Sequence, residues 1–339
     1  MVYKFSIGKL IKIIPLNYFM KKNYEPKPLF IERMKQILGL EFENYLSKIK
    51  EEPQRSIRVN TLKISVKDLI KKLENKNWKI KQPFKKFPEI LIVESDLEPG
   101  ELGRSLEHLL GYYYIQEISS MLPVLVLNPK ENEIILDLCA APGSKTTQIA
   151  SKMNNSGTII ANDFKLGRIK ILASNLERCG VMNTIITKSG GESLSRKLKE
   201  MNFQIDKILL DAPCSGEGTI RGTPKTLEMW NQKKIISLSR IQKRLFKQAI
   251  ELLKVGGEIV YSTCTHAPEE NEEVIDFILN EFSNIKIEKP SLPIEIKYHK
   301  GIKKWQEKEY LEDVKYSCRI YPQDNNTEGF FISKFKKIK

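Results

Sequence analysis

Leu136-Asp137-Leu138-Cys139-Ala140-Ala141-Pro142-Gly143-Ser144-Lys145-Thr146 is the stretch on which the fold turns. The apolar run at 134–138 reads as a buried strand and the residues after Pro142 open a helix, so the intervening loop lies outside a strand's carboxyl end. Open α/β sheets bind their ligands there. Small residues let the backbone approach a ligand closely, amides at the helix start suit a carboxylate, and Lys145 adds a positive charge. Cys139, Ala140, Ala141, Pro142, Gly143, Ser144 and Lys145 are therefore candidate cofactor contacts; the plain alternative is an ordinary tight turn. One strand further on, Ile159-Ile160-Ala161-Asn162-Asp163 ends in an acid placed to accept a pair of ribose hydroxyls. The next strand end, Thr187-Lys188-Ser189-Gly190-Gly191, offers no acid, which leaves a purine base to backbone groups.

From Glu133 onward β-rich runs alternate with helical ones, the signature of βαβ units. Strands are expected at 134–138, 158–162, 184–187, 205–211 and 258–262. Ile169, Leu172, Ala173 and Leu176 stripe one helix that ends before Gly180; Ile235, Leu238, Ile241, Leu245, Ala249 and Leu252 stripe another that ends before Gly256. Near the C-terminus, runs at 314–321 and 330–335 flank the turn-rich 322–329 and predict an antiparallel hairpin closing the sheet edge. The chain thus reads as α/β and Rossmann-like: a mostly parallel sheet with an antiparallel C-terminal hairpin at 101–339, preceded by a smaller basic α+β domain at 1–100. Pro and Gly clustered at 83–103 mark the boundary.

Lys and Arg exceed Asp and Glu by 56 to 42, and residues 1–90 hold 21 basic against 9 acidic side chains while the remainder hold 35 against 33. A basic lobe beside a neutral one suits a polyanion, with a lysine-rich solvated surface as the bland alternative. Arg58, Lys63 and Arg221, with Arg55, are the candidate phosphate contacts. Five widely spaced cysteines without a CxxC pair argue against a disulfide framework and against a metal site, and fit a reducing cytoplasm. Residues 5–20 are apolar in patches broken by Lys9 and Lys12, which predicts an amphipathic docking helix rather than a signal or membrane span. A monomer is the default.

Two cysteines stand at neighbouring strand tips, in Asp211-Ala212-Pro213-Cys214-Ser215-Gly216-Glu217-Gly218 and in Tyr261-Ser262-Thr263-Cys264-Thr265. A lone buried cysteine is ordinarily just a small hydrophobe. A pair facing one crevice, one of them beside an aspartate, suits covalent chemistry on a pyrimidine. Carbon 5 of cytosine is too weak a nucleophile until a thiolate adds to carbon 6, and the thiol can leave only once the carbon 5 proton is removed. Asp211 is placed to hydrogen-bond the ring edge, Cys214 to serve the release step, and Lys145 to raise the thiolate fraction.

In order along the chain, Ile57-Arg58-Val59-Asn60-Thr61-Leu62-Lys63, Gln116-Glu117-Ile118-Ser119-Ser120, the loop at 139–145, the run at 211–216, Thr263-Cys264 and Gly329-Phe330-Phe331 resemble the Sun-type RNA cytosine-C5 methyltransferases. The resemblance covers about residues 56–336. It implies a Rossmann-like methyltransferase fold, S-adenosylmethionine as cofactor and transfer or ribosomal RNA as partner. It also implies that Cys264 forms the covalent adduct, that Cys214 assists product release, and that the 139–145 loop, Asp163, Arg168 and Asp211 contact the cofactor. DNA cytosine methyltransferases resemble this logic but attack with the Pro-Cys cysteine and lack the Thr-Cys one, so RNA is favoured. The rival from another class is a catalytically idle RNA-binding or ribosome-assembly factor, against which the intact cysteines weigh. The target base must be unpaired or extruded. Arg221, Pro224 and Trp230 are read as shaping its pocket, with core packing the alternative for Trp230. Tyr112, Tyr113 and Tyr114 either stack on bases or, more in keeping with their setting, pack against the sheet; His266 is given no role.

Overall fold

A computed structural model describes residues 25–339, Glu192 by its backbone alone; the docking helix expected at 5–20 lies outside the described residues. Four strands form a small antiparallel sheet: β1 (Ser56–Val59), β2 (Ile80–Lys81), β3 (Ile90–Val93) and β4 (Tyr113–Ile115), in the order β2-β3-β1-β4. The helix Val66–Glu74 covers it, started by Ser65, whose side chain accepts from Asp68 N, and buries Leu69 and Leu73. β3 falls inside the Pro- and Gly-rich stretch expected to hold the boundary. Its four β-prone residues are all buried, and the sheet runs past residue 100 to β4, paired with β1. The two leading helices, Pro28–Leu38 and Phe42–Lys48, pack Phe30, Met34, Phe42 and Tyr45 against Trp230, Ile235 and Ala267 of the larger part.

The larger sheet is built on β5 (Ile134–Asp137), β6 (Thr158–Asp163), β7 (Thr184–Lys188), β8 (Ile205–Asp211) and β9 (Leu253–Thr263), all parallel. β10 (Ile285–Glu288), β11 (His299–Lys300), β14 (Cys318–Ile320) and β15 (Phe330–Lys337) complete it, while β12 (Lys304–Trp305) and β13 (Lys308–Glu309) pair only with each other. The order is β11-β14-β15-β9-β8-β5-β6-β7, with β10 also on β15. β14 and β15 do form the predicted antiparallel pair, but the pair does not close the edge: β15 lies inside the sheet against β9. Phe330, Phe331, Ile332 and Phe335 are all buried, and a strand apolar on both faces needs cover that an edge cannot give.

Strand order reverses at β5, with β6 and β7 on one side and β8 and β9 on the other. The loops after β5, β8 and β9 therefore open on the switch point, where the sheet leaves a crevice. Helices Ser144–Lys152, Leu166–Cys179 and Gln232–Leu252 flank it. No helix among the described residues is long and apolar enough to cross a membrane.

Candidate active site

The loop after β5 is fixed from both ends. Ala140 N donates to Asn162 O at 2.8 Å and Gly143 N to Ala140 O at 2.8 Å, with a cis Ala141–Pro142 peptide between. Gly143 sits at φ +103, and a side chain there would meet Leu172 Cδ1 at 2.9 Å, so the loop turns tightly into helix Ser144–Lys152 only with glycine. Beyond the loop opens a cavity of about 880 Å³. Cys139, Ala140, Ala141, Pro142, Ser144, Lys145, Asp163, Arg168 and Asp211 line it, together with both Cys214 and Cys264; Gly143 instead shapes the turn behind them.

Asp163 is buried, accepts from Lys165 N at 3.0 Å, and pairs with Arg168 Nη1 at 3.2 Å. The same guanidinium donates to Ala141 O, so Arg168 ties the acid to the loop. Sequence reasoning quoted Asp137 but gave it no part. Its Oδ2 accepts from Thr146 Oγ1 at 2.7 Å, while Oδ1, buried on the cavity wall, has no partner among the described residues, and burial pushes the carboxyl up to about 7. An acid inside an apolar strand was the available signal. An orphaned carboxylate oxygen beside a helix N-terminus fits the ammonium and carboxylate of an amino-acid group.

The two thiols predicted from separate strand tips meet: Cys214 Sγ lies 3.1 Å from Cys264 Sγ, both half-buried. Cys214 is held well above the usual thiol range, first by its hydrogen bond to Cys264 and then by burial, so it remains protonated. Lys145 Nζ donates to Asp211 Oδ2 at 2.7 Å and to Ser120 Oγ at 2.9 Å, and Ser262 Oγ donates to Asp211 Oδ1 at 2.7 Å. The cation expected to act on the thiolate is thus first of all the partner of Asp211. It fixes that carboxylate, and its field at the sulfurs is offset by the paired negative charge.

The expected phosphate contacts lie elsewhere. Arg58 is buried, its guanidinium spent on Gln116 Oε1, Ser144 O and Thr147 Oγ1, and burial lowers it to about 10. Arg221 is buried against the carbonyls of Thr327 and Glu52 and Asn326 Oδ1. Lys63, though exposed, donates to the carbonyls of Leu110 and Arg178. In each case backbone carbonyls, joined for Arg58 and Arg221 by side-chain acceptors, have claimed the cation. Arg58 thereby becomes the tie between the small sheet and the helix that follows the loop at 139–145. Trp230 is core, packed on Phe30 and donating to Glu217 Oε1 at 2.6 Å, and neither it nor Arg221 or Pro224 lines the cavity. Tyr113 and Tyr114 are buried as the packing alternative required, and His266 is sealed between Tyr45 and Tyr321.

Two solved structures share this architecture. A methyltransferase homolog protein from Pyrococcus horikoshii aligns over 91% of this chain and 95% of its own, with 37% identity and a TM-score of 0.78. NSun6 from Pyrococcus horikoshii, in a crystal structure with SFG, aligns over 91% and 97%, with 28% identity and a TM-score of 0.75. Fold and site together define an S-adenosylmethionine-dependent methyltransferase. Residues 124–336 match the family described as 16S rRNA methyltransferase RsmB/F, and residues 27–118 match the N-terminal domain of 16S rRNA methyltransferase RsmF. The chain belongs to this RsmB/F family of RNA cytosine-C5 methyltransferases, the Sun-type group its motifs resemble. The tRNA (cytosine(49)-C(5))-methyltransferase of Pyrococcus abyssi is 45% identical over 282 residues, 83% of this chain and 88% of that protein. Ribosomal RNA small subunit methyltransferase F of Vibrio campbellii is 38% identical over 313 residues, 91% of this chain; the chain spans only 63% of that relative's length.

Proposed function

We propose that this protein methylates carbon 5 of a cytosine in RNA through a covalent adduct on Cys264, with Cys214 serving the release step. The observation that carries the reading is two thiols 3.1 Å apart on the wall of the cofactor cavity. The loop at 139–145, Asp137, Asp163 and Arg168 would hold S-adenosylmethionine, which when bound supplies an electrophilic sulfonium methyl. Cys264, at the end of β9, adds as thiolate to carbon 6 and raises electron density at carbon 5. Asp211, immobilised by Lys145 and Ser262, hydrogen-bonds the ring edge and steadies charge that develops during addition. Cys214 keeps a proton close to the leaving sulfur and gives it to the Cys264 sulfur as the carbon–sulfur bond breaks; the Cys214 thiolate so formed takes up the carbon 5 proton, whose bonding electrons restore the ring's carbon 5–carbon 6 double bond.

Transfer RNA is the proposed substrate, supported by the 45% identity to the Pyrococcus abyssi enzyme over most of its length. Exposed Lys67, Lys71 and Lys72 on helix Val66–Glu74 take the place of Arg58 and Arg221 as the proposed phosphate contacts. A cytoplasmic monomer whose N-terminal basic unit reads the RNA backbone completes the proposal.

The test is transfer of label from S-adenosylmethionine to transfer RNA, ribosomal RNA or DNA, with the labelled base mapped. Label on carbon 5 of cytosine in transfer RNA is expected; label in ribosomal RNA alone moves the substrate, and label only in DNA overturns the reading. Cys264→Ala should abolish transfer while still binding cofactor, and Cys214→Ala should accumulate a denaturant-resistant protein–RNA adduct. Normal turnover by the first, or no adduct from the second, rejects the assigned roles.

A further inference from the structure

The reaction proposed for this cavity needs two sulfurs held at a set spacing on separate loops, and a device that fixes the spacing has a purpose only on that reading. Between those loops stand Glu270 and Asn271, both fully buried. Asn271 brackets Cys264: its Oδ1 accepts from Thr263 Oγ1 at 2.6 Å and its Nδ2 donates to Thr265 O at 2.9 Å. Glu270 does the matching work at Cys214. Its carboxylate accepts from Ser215 N at 3.0 and 3.3 Å and from Gln242 Nε2 at 2.8 Å, and Gln242 Nε2 also donates to Pro213 O at 2.9 Å. Both residues flanking each cysteine are thus tied to one buried dipeptide, directly or through Gln242. Ser215 Oγ and Thr265 Oγ1, 2.7 Å apart, join the two loops, and Tyr261 OH pins Glu270 O to β9 at 2.6 Å.

We propose that Glu270 and Asn271, with Gln242, form a positioning clamp that sets the distance between the Cys214 and Cys264 sulfurs. None of the three lines the cavity, so they touch neither cofactor nor target base and act through the loops they hold. Spacing, rather than ligand binding, is what they control. A displacement of about 1 Å at reacting groups is enough to cost on the order of 100-fold in rate.

The test uses the whole enzyme and phenylarsine oxide, which closes a ring on two adjacent thiols: two arsenic–sulfur bonds form, and the arsenic oxygen leaves with both thiol protons as water. Asn271→Ala and Glu270→Ala should be chelated at least about tenfold more slowly and lose about 100-fold in kcat, with the Kd for S-adenosylmethionine within about twofold. Glu270→Gln, which keeps an acceptor for Ser215 N, should restore most of both. Asn271→Asp keeps the acceptor for Thr263 but sets a carboxylate oxygen against Thr265 O; with cofactor titration as proof of folding it should likewise slow chelation and lower kcat, and it carries the test if the alanine variant does not fold. Unchanged chelation in folded variants overturns the clamp, and so does a loss of cofactor affinity that parallels the loss of kcat. Slower chelation with unchanged kcat upholds the clamp and instead sinks the reading of both thiols as participants in the reaction.

Discussion

Asp163 serves two partners at once, since its carboxylate holds Arg168 and Lys165 N while facing the cavity where a ribose would bring two hydroxyls. Charge-assisted hydrogen bonds to a buried carboxylate are among the stronger polar contacts, so Asp163→Ala should raise the Kd for S-adenosylmethionine about 10- to 100-fold. Isothermal titration reads this directly, and kcat at saturating cofactor should stay near wild type; an unmoved Kd would remove Asp163 from the cofactor site. Residues of this kind were legible because each ends a readable strand: Asp163 on β6, Asp211 on β8, Cys264 just past β9. Asn271 was not, because nothing in its neighbours in sequence tells that it spans Thr263 and Thr265. Arg58 and Arg221 misled for the complementary reason. A charge in a sequence carries no sign of burial, and Arg58 sits on a strand whose four residues are all buried.

At the scale of elements, hydrophobic period placed the parallel strands within a residue or two, except that β9 begins at Leu253, ahead of the expected 258. Gly256, read as the end of a helix, lies at φ +81 inside that strand, where a register shift against β8 absorbs it. What period could not give was the rank of β15, since inner and edge strands share the alternation of residues and differ only in what lies beside them. The turn that leads into it is where the sheet meets the loop that carries Cys264. Gly329 N donates to Gly218 O at 2.8 Å, and Gly218 N to Cys264 O at 2.9 Å, so three backbones stack with no side chain between. A Cβ on Gly329 would lie 2.2 Å from His266 Cε1 and 3.0 Å from Gly218 Cα. The imidazole is sealed in and cannot yield. Gly329→Ala should therefore cost roughly 2–3 kcal/mol of stability, seen as a lower urea midpoint, and should depress transfer through the displaced Cys264 loop. Wild-type stability in that variant would show that the stack is looser than its geometry demands.

Over the whole molecule the basic excess was legible, 21 against 9 in the first 90 residues, but the buried acids of the larger part were not. Burial pushes Asp137 and Glu328 up to about 7 and Glu270 to about 8, all from ordinary values near 4. Each binds its proton more tightly folded than unfolded, so its contribution is complete below about pH 4 and is lost as pH rises through the folded value. His266 runs the other way: burial lowers it to about 3, so its contribution is complete above pH 6.5 and is lost only as pH falls toward 3. Between pH 6.5 and 8.5 the His266 imidazole is neutral when folded and at most half protonated when unfolded, a small opposing effect, while the buried carboxyls and His299, raised by its hydrogen bond to Asp324, together set a downward slope. The unfolding free energy should then fall by roughly 1–3 kcal/mol over that window, since each proton of difference is worth about 1.4 kcal/mol per pH unit. Urea titrations at a series of pH values measure it. Glu328→Gln keeps the acceptor for Gly222 N at 2.6 Å and removes one titrating group, so its curve should be flatter than wild type. A stability that holds level or climbs across the window would mean that burial does not hold these acids protonated in the folded protein.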